Sequence, residues 1–247
     1  MDHRQYILRG SKKMISAVFM KTVIIHGQSH KGSTYHIAHA LGEKIGGECR
    51  EFFLPRDFGK FCVGCNRCFM EGEEKCPHYE ELLPITRAID EADVIILASP
   101  VYVFHVTGAM KAFLDHYGHR WMVHCPEESM FHKQGVCICT AAGAGLKSTN
   151  KDMADSLFFW GVGKIYRYGK AVAAVEWKDV NEKKRISIEK ATTSLANKIV
   201  RRHGKIKPAI KTRLFFYAMH FFQRKGLSER DAKYWKEKGW TGNKRPW

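Results

Sequence analysis

Five short apolar runs recur along the chain: KTVIIHG (21–27), CREFFLP (49–55), ADVIILASP (92–100), GVCICTAA (135–142) and KIYRYGKAVAA (164–174). Each is rich in β-branched or aromatic residues and ends at a Gly, a Pro or a small residue, the signature of a buried strand. The segments between them, 34–44, 80–91, 107–116 and 149–160, read as helices. Strand and helix alternating at these intervals predict an α/β protein with a parallel sheet covered on both faces. Right-handed crossovers make that sheet doubly wound, and five strands fit the order 2-1-3-4-5.

That order places a ligand outside the carboxyl ends of the strands, at the switch point between strands 1 and 3. Three loops meet there. After strand 1 comes HGQSHKGSTYHIAHAL, where Gly27 and Gly32 permit tight turns and Ser29, Ser33 and Thr34 offer hydroxyls before a helix. A helix N-terminus with Lys31 beside it suits a phosphate; an ordinary helix cap, with Ser33 or Thr34 as N-cap, is the plainer alternative. The loop is not a Walker A motif. After strand 3 comes SPVYVFHVTGAMKAFLDH, in which Pro100, Val101, Tyr102 and Val103 cross the switch point. An apolar loop exposing backbone amides suits a flat, partly polar ring, although Tyr102 and Phe104 would equally serve as core residues capping the sheet. After strand 4, TAAGAGLKST lets a ligand approach small residues closely.

Charge changes the picture at one end only. Of the chain's net +16, residues 183–247 carry +15, with 19 Lys+Arg against 4 Asp+Glu. The body is close to neutral, which argues against a core that reads nucleic acid and assigns the basicity to an appendage. Within that appendage 186–202 reads as the last helix of the sheet domain. Residues 209–225 read as a helix with aromatics on most faces, and Ser228 with Asp231 offers a cap for a final helix containing Trp235. Packing on the domain or on a second copy is the plain reading; peripheral contact with an anionic membrane and contact with nucleic acid are the alternatives. No apolar run reaches the roughly 20 residues needed to span a bilayer. The first residues lack a signal-peptide core, so a cytoplasmic, thiol-reducing setting is expected.

With the three loops in view, the sequence resembles the flavodoxin-like NAD(P)H-dependent FMN reductases, in particular their iron–sulfur flavoprotein branch. The likeness runs from 21 to 169 and rests on IIHGQSHKGST, FCVGCNRC…KCPH, SPVYVFHVTGAMKAFLDH and TAAGAGL in that order. It implies non-covalent FMN, with phosphate on Ser29, Lys31, Gly32, Ser33 and Thr34. The ring would lie along Pro100, Val101, Tyr102 and Val103, bordered by Ala142 and Gly143. His30 stands where the family often has Pro or Arg. The likeness also implies an opening near Met20, so 1–19 is either an extension or the product of a misplaced start. The expected organisation is that extension, an FMN-binding domain over 20–205 and a basic helical extension over 206–247.

The segment after strand 2 reads FCVGCNRCFMEGEEKCPH, with Cys62, Cys65, Cys68 and Cys76 spaced C-x2-C-x2-C-x7-C and Pro77 after the last. Compact C-x2-C-x2-C runs and a Cys-Pro pair resemble a [4Fe–4S] ligand set. Structural zinc more often takes two separated pairs, and a metal-free pocket wall is the third reading. Cys49, Cys125, Cys137 and Cys139 read as structural, and His116, His119 and His124 as exposed or capping residues. Hydride transfer from NAD(P)H to a flavin needs no side-chain acid or base, so no catalytic residue is expected. The expected partners are a small-molecule or small-protein electron donor or acceptor and further copies of the chain, with no specific nucleic acid. Two rivals remain: a cluster-free quinone, nitro or flavin reductase, and a non-enzymatic interaction protein on the same scaffold.

Overall fold

A computed structural model describes residues 19–174, 176–226 and 228–247. The expected extension over 1–19 lies, but for its last residue, outside the described residues. Strands β1 (Lys21–His26), β2 (Glu48–Phe53), β3 (Val94–Pro100), β4 (Gln134–Ala141) and β5 (Lys164–Ala171) form one parallel sheet in the order β2-β1-β3-β4-β5. This is the expected flavodoxin-like topology.

Because side chains alternate across a strand, successive residues enter different cores. Ile24, Ile96, Val136 and Ile138 meet helices α1 (Ser33–Ile45) and α6 (Glu182–Arg202) on one face. Val23, Ile25, Ile95 and Leu97 meet α3 (Tyr79–Glu91), α4 (Gly108–Asp115) and α5 (Leu146–Phe159) on the other. Between β2 and α3 lies the short helix α2 (Arg67–Met70).

Three helix starts differ from expectation, α6 beginning at Glu182 rather than at 186. Ser33 and Thr34 are not caps: Gly32 is the N-cap of α1 and both hydroxyl residues stand inside the first turn. Helix α5 begins three residues early, at Leu146, and its N-cap Gly145, with φ of 87°, closes the loop against β3's loop. A Cβ there would sit 2.5 Å from Val101 Cγ1, so only glycine fits.

The basic extension folds back on the body. Helices α7 (Ile210–Arg224) and α8 (Glu229–Glu237) bury Phe216, Trp235 and Trp240 against Met122 and Phe131. Side chains of this size contribute about 1.5–3 kcal/mol each when fully buried. Trp235 Nε1 donates to the His124 carbonyl and Tyr234 Oη to the Pro126 carbonyl, both at 2.7 Å. Ser228 accepts from the Asp231 amide, as its spacing predicts.

Candidate active site

At the carboxyl edge of the sheet a cleft of about 290 Å³ opens between the ends of β1, β3 and β4. Its floor is Gly32, Ser33 and Thr34 in the first turn of α1, and one wall is Pro100, Val101 and Tyr102. The 13-residue α1 points its free amides and positive dipole end at this space. Ser33 Oγ is buried there with no hydrogen-bond partner, a hydroxyl in need of a ligand. Thr34 Oγ1 lies 2.6 Å from Thr140 Oγ1, pinning the turn to the end of β4. On the far side Gln28 Nε2 donates to Tyr102 Oη at 3.0 Å, joining the first loop to the third strand's loop.

That third-strand loop is a two-residue hairpin. Tyr102 and His105 exchange backbone bonds of 2.9 and 3.0 Å around Val103 (φ 47°) and Phe104 (φ 65°). A β-branched residue at positive φ is strained, and such strain concentrates at functional sites. The amides expected to face a ring are already used: Val101 N donates to the Thr140 carbonyl and Tyr102 N to the His105 carbonyl. This loop therefore offers side chains and carbon surface to a ring, with those two amides spent on the fold.

The cysteine segment runs exposed from Gly59 to Asn66, turns at Gly64 and Asn66 with φ of 65° and 58°, and enters α2. The Cys68 thiol is pushed up to about 11, first by burial and then by the neighbouring thiols of Cys76, Cys62 and Cys65. The other three sulfurs thus sit within electrostatic reach of Cys68. The four do not close into a group compact enough for one ion: among the described residues the only such set is Cys76, His78 and His116, within 4.8 Å. Four thiols on one segment are, by donor chemistry, the ligand set an iron–sulfur cluster takes.

The family model for NADPH-dependent FMN reductases matches residues 20–176. The chain belongs to this family. It is an NAD(P)H-dependent FMN oxidoreductase, and α6 to α8 lie beyond the matched region. An iron-sulfur flavoprotein of Archaeoglobus fulgidus is 28% identical over 203 residues, covering 80% of this chain and 87% of that one. One from Methanocaldococcus jannaschii is 44% identical over 54 residues, 22% of this chain and 27% of that one. An FMN-dependent NADH-azoreductase of Bacillus anthracis, solved with FMN, shares the fold with a TM-score of 0.52 at 14% identity, covering 71% of this chain and 99% of that one.

Of the residues expected to hold FMN in this reductase, Gly32, Ser33, Thr34, Pro100, Val101, Tyr102 and Ala142 line the cleft. Ser29, Lys31, Val103 and Gly143 do not. Ser29 Oγ donates to the Leu54 carbonyl, Lys31 Nζ sits 5.0 Å over the Tyr35 ring, and Val103 is 92% exposed. Sequence reasoning missed Thr140, Val172 and Ala174, contributed by β4 and the turn after β5, and His26 at the end of β1. His26 Nε2 meets Glu51 Oε2 at 2.6 Å, and His39 Nδ1 meets Glu51 Oε1 at 2.7 Å. Burial opposes Glu51's charge, yet the two imidazoles hold its carboxyl below the usual range.

The histidines after α4 are not exposed, although His116 is the C-cap of α4, as the capping alternative expected. His116 is buried beside Cys76; its Nδ1–H donates to the Ala112 carbonyl at 2.7 Å, which leaves Nε2 to accept from His78 Nδ1 at 3.0 Å. His119, also buried, meets Glu73 inside the cysteine segment at 2.9 Å. His124 packs edge-on to Phe69 of α2. Cys137 and Cys139 are buried in β4 as expected, whereas Cys49 lies exposed on the edge strand β2.

Proposed function

We propose that FMN occupies the cleft with its phosphate at the N-terminus of α1 and its ring along residues 100–102, and that Cys62, Cys65, Cys68 and Cys76 hold a [4Fe–4S] cluster. The enzyme would then pass electrons between a nicotinamide donor and a small molecule or small protein. The observation that carries the flavin site is the buried, unpartnered Ser33 hydroxyl beside the free amides of α1. The influence of the other three thiols on Cys68 supports the cluster, as does the likeness to iron-sulfur flavoproteins.

Bound FMN supplies a ring that takes electrons singly or in pairs, and a cluster supplies single-electron transfer. The chain's own residues bind and orient. Gly32, Ser33 and Thr34 hold the phosphate, with Lys31 adding charge from the outer side of the loop. Gln28 and Tyr102 lock the two loops that flank the ring. Ala142 and the turn bearing Val172 leave room at the far edge. No side chain has to move a proton for hydride to arrive.

The Cys76, His78 and His116 trio favours a second reading, in which one ion sits on these three ligands and the enzyme works in two-electron steps without a cluster. The flavin half of the proposal is tested by titrating FMN into apoprotein and mixing the complex anaerobically with NADPH. Stoichiometric binding and bleaching of the flavin absorption are expected. Failure to bind FMN would remove the proposed site.

A further inference from the structure

Helix α7 carries two apolar faces, and only one is used. Phe216 and Met219 pack into the third core, whereas Ile210, Leu214, Tyr217 and Phe221 are 75%, 65%, 42% and 55% exposed. The spacing i, i+4, i+7, i+11 places these four in a single stripe, diametrically opposite the buried side. Lys211 and Lys225 flank the stripe on one side, Arg213 and Arg224 on the other. Three of these cations sit over rings: Lys211 over Phe158 at 4.3 Å, Arg213 over Trp247 at 5.6 Å and Lys225 over Phe221 at 4.4 Å. From residue 190 through 228 the chain holds ten Lys and Arg and no Asp or Glu.

We propose that this face of α7 docks on an anionic lipid surface, with the helix lying in the plane of the interface. The stripe enters the acyl boundary while the flanking cations meet the headgroups. Charge selects this occupant. A second copy docked face to face would oppose one acid-free basic segment to another, because an isologous contact repeats the same patch. A nucleic acid would satisfy the cations, but it leaves Ile210 and Leu214 turned toward a polyanion with nothing apolar to meet. Lipid accepts both parts. Spanning is excluded for α7 itself: no helix of the described residues is long and apolar enough to cross a membrane, and 15 residues reach only about 22 Å.

The test is flotation of the full-length, FMN-loaded protein with vesicles of phosphatidylcholine alone and of phosphatidylcholine mixed with phosphatidylglycerol. Retention on the mixed vesicles only, weakening as salt is added, is expected. Leu214→Glu and Phe221→Glu should each lower it about tenfold or more, the size of losing one buried large apolar side chain. Both should leave FMN content and thermal unfolding unchanged, since neither side chain touches the cores. Equal retention on both vesicle types, or none on either, would overturn the proposal. So would tighter binding to a duplex oligonucleotide than to anionic vesicles. If vesicles fail and the two variants instead change the oligomeric state on size-exclusion chromatography, the face belongs to a second copy.

Discussion

Glu73 grips Arg120 with both carboxylate oxygens, accepting from Nε at 2.7 Å and from Nη2 at 2.9 Å. Glu73 stands between Cys68 and Cys76, so this pair fixes the cysteine segment to the turn after α4. Arg120 is itself buried and also donates to Asp90 at 2.6 Å. Replacing Glu73 by Gln should cost about 2 kcal/mol, because a buried guanidinium loses one of its two carboxylates. Thermal unfolding measures that loss, and cluster content should fall while FMN content holds.

The same carboxylate gives a pH dependence. Burial opposes Glu73's charge, but hydrogen bonds from His119 and Arg120 outweigh it and hold its pKa well below the usual carboxylate range. A depressed folded-state pKa contributes stability that is fully present above the unfolded value, about 4.3, and is lost as pH falls through the folded one. Unfolding temperatures measured from neutral pH downward should therefore fall more steeply below that value in the native protein than in Glu73→Gln.

Ser33→Ala separates ligand binding from folding. The hydroxyl is buried without a partner, so its removal should leave apoprotein stability unchanged or raise it by up to about 1 kcal/mol. FMN affinity should drop on the order of tenfold through the lost phosphate contact. Calorimetric titration and apoprotein melting would show the two effects with opposite signs.

Val103 and Phe104 occupy positive φ in a two-residue hairpin, where Asn-Gly is the unstrained choice. Val103→Asn combined with Phe104→Gly should stabilise the protein by about 1–2 kcal/mol in thermal unfolding. Steady-state turnover should fall at the same time, because two exposed apolar side chains beside the ring wall are lost.

The sheet was readable because both of its faces are buried: five apolar runs with small residues at their ends leave little choice of element or order. The lining of the candidate cleft was readable where a strand gives way to the next loop or helix, as at Gly32 to Thr34 in the first turn of α1 and Pro100 to Tyr102 at the end of β3. It was less so where tertiary placement decides. Lys31 looks like a phosphate ligand in sequence yet rests on Tyr35, and Thr140 reaches the cleft only because β4 lies next to β3. The His78–His116 pair spans 38 residues and belongs to no short motif. In α7, aromatics counted along the chain suggest a helix buried all round, whereas the structure divides them into an inward Phe216 and an outward Phe221.

Cys62→Ser and Cys76→Ser should each abolish a cluster while sparing FMN, since neither residue lines the cleft. Visible and paramagnetic resonance spectra of the anaerobic variants check this. Substitution of His78 and His116 by Ala should leave iron content intact if the four thiols are the ligands, and should empty the site if a single ion occupies the Cys76 trio.

The most direct measurement is iron, acid-labile sulfide, zinc and FMN per chain in protein purified without exposure to air. About four iron and four sulfide beside one FMN, with broad absorption near 400 nm, is the predicted result. Stoichiometric FMN with no iron would contradict the cluster and leave an FMN reductase whose cysteines serve another end.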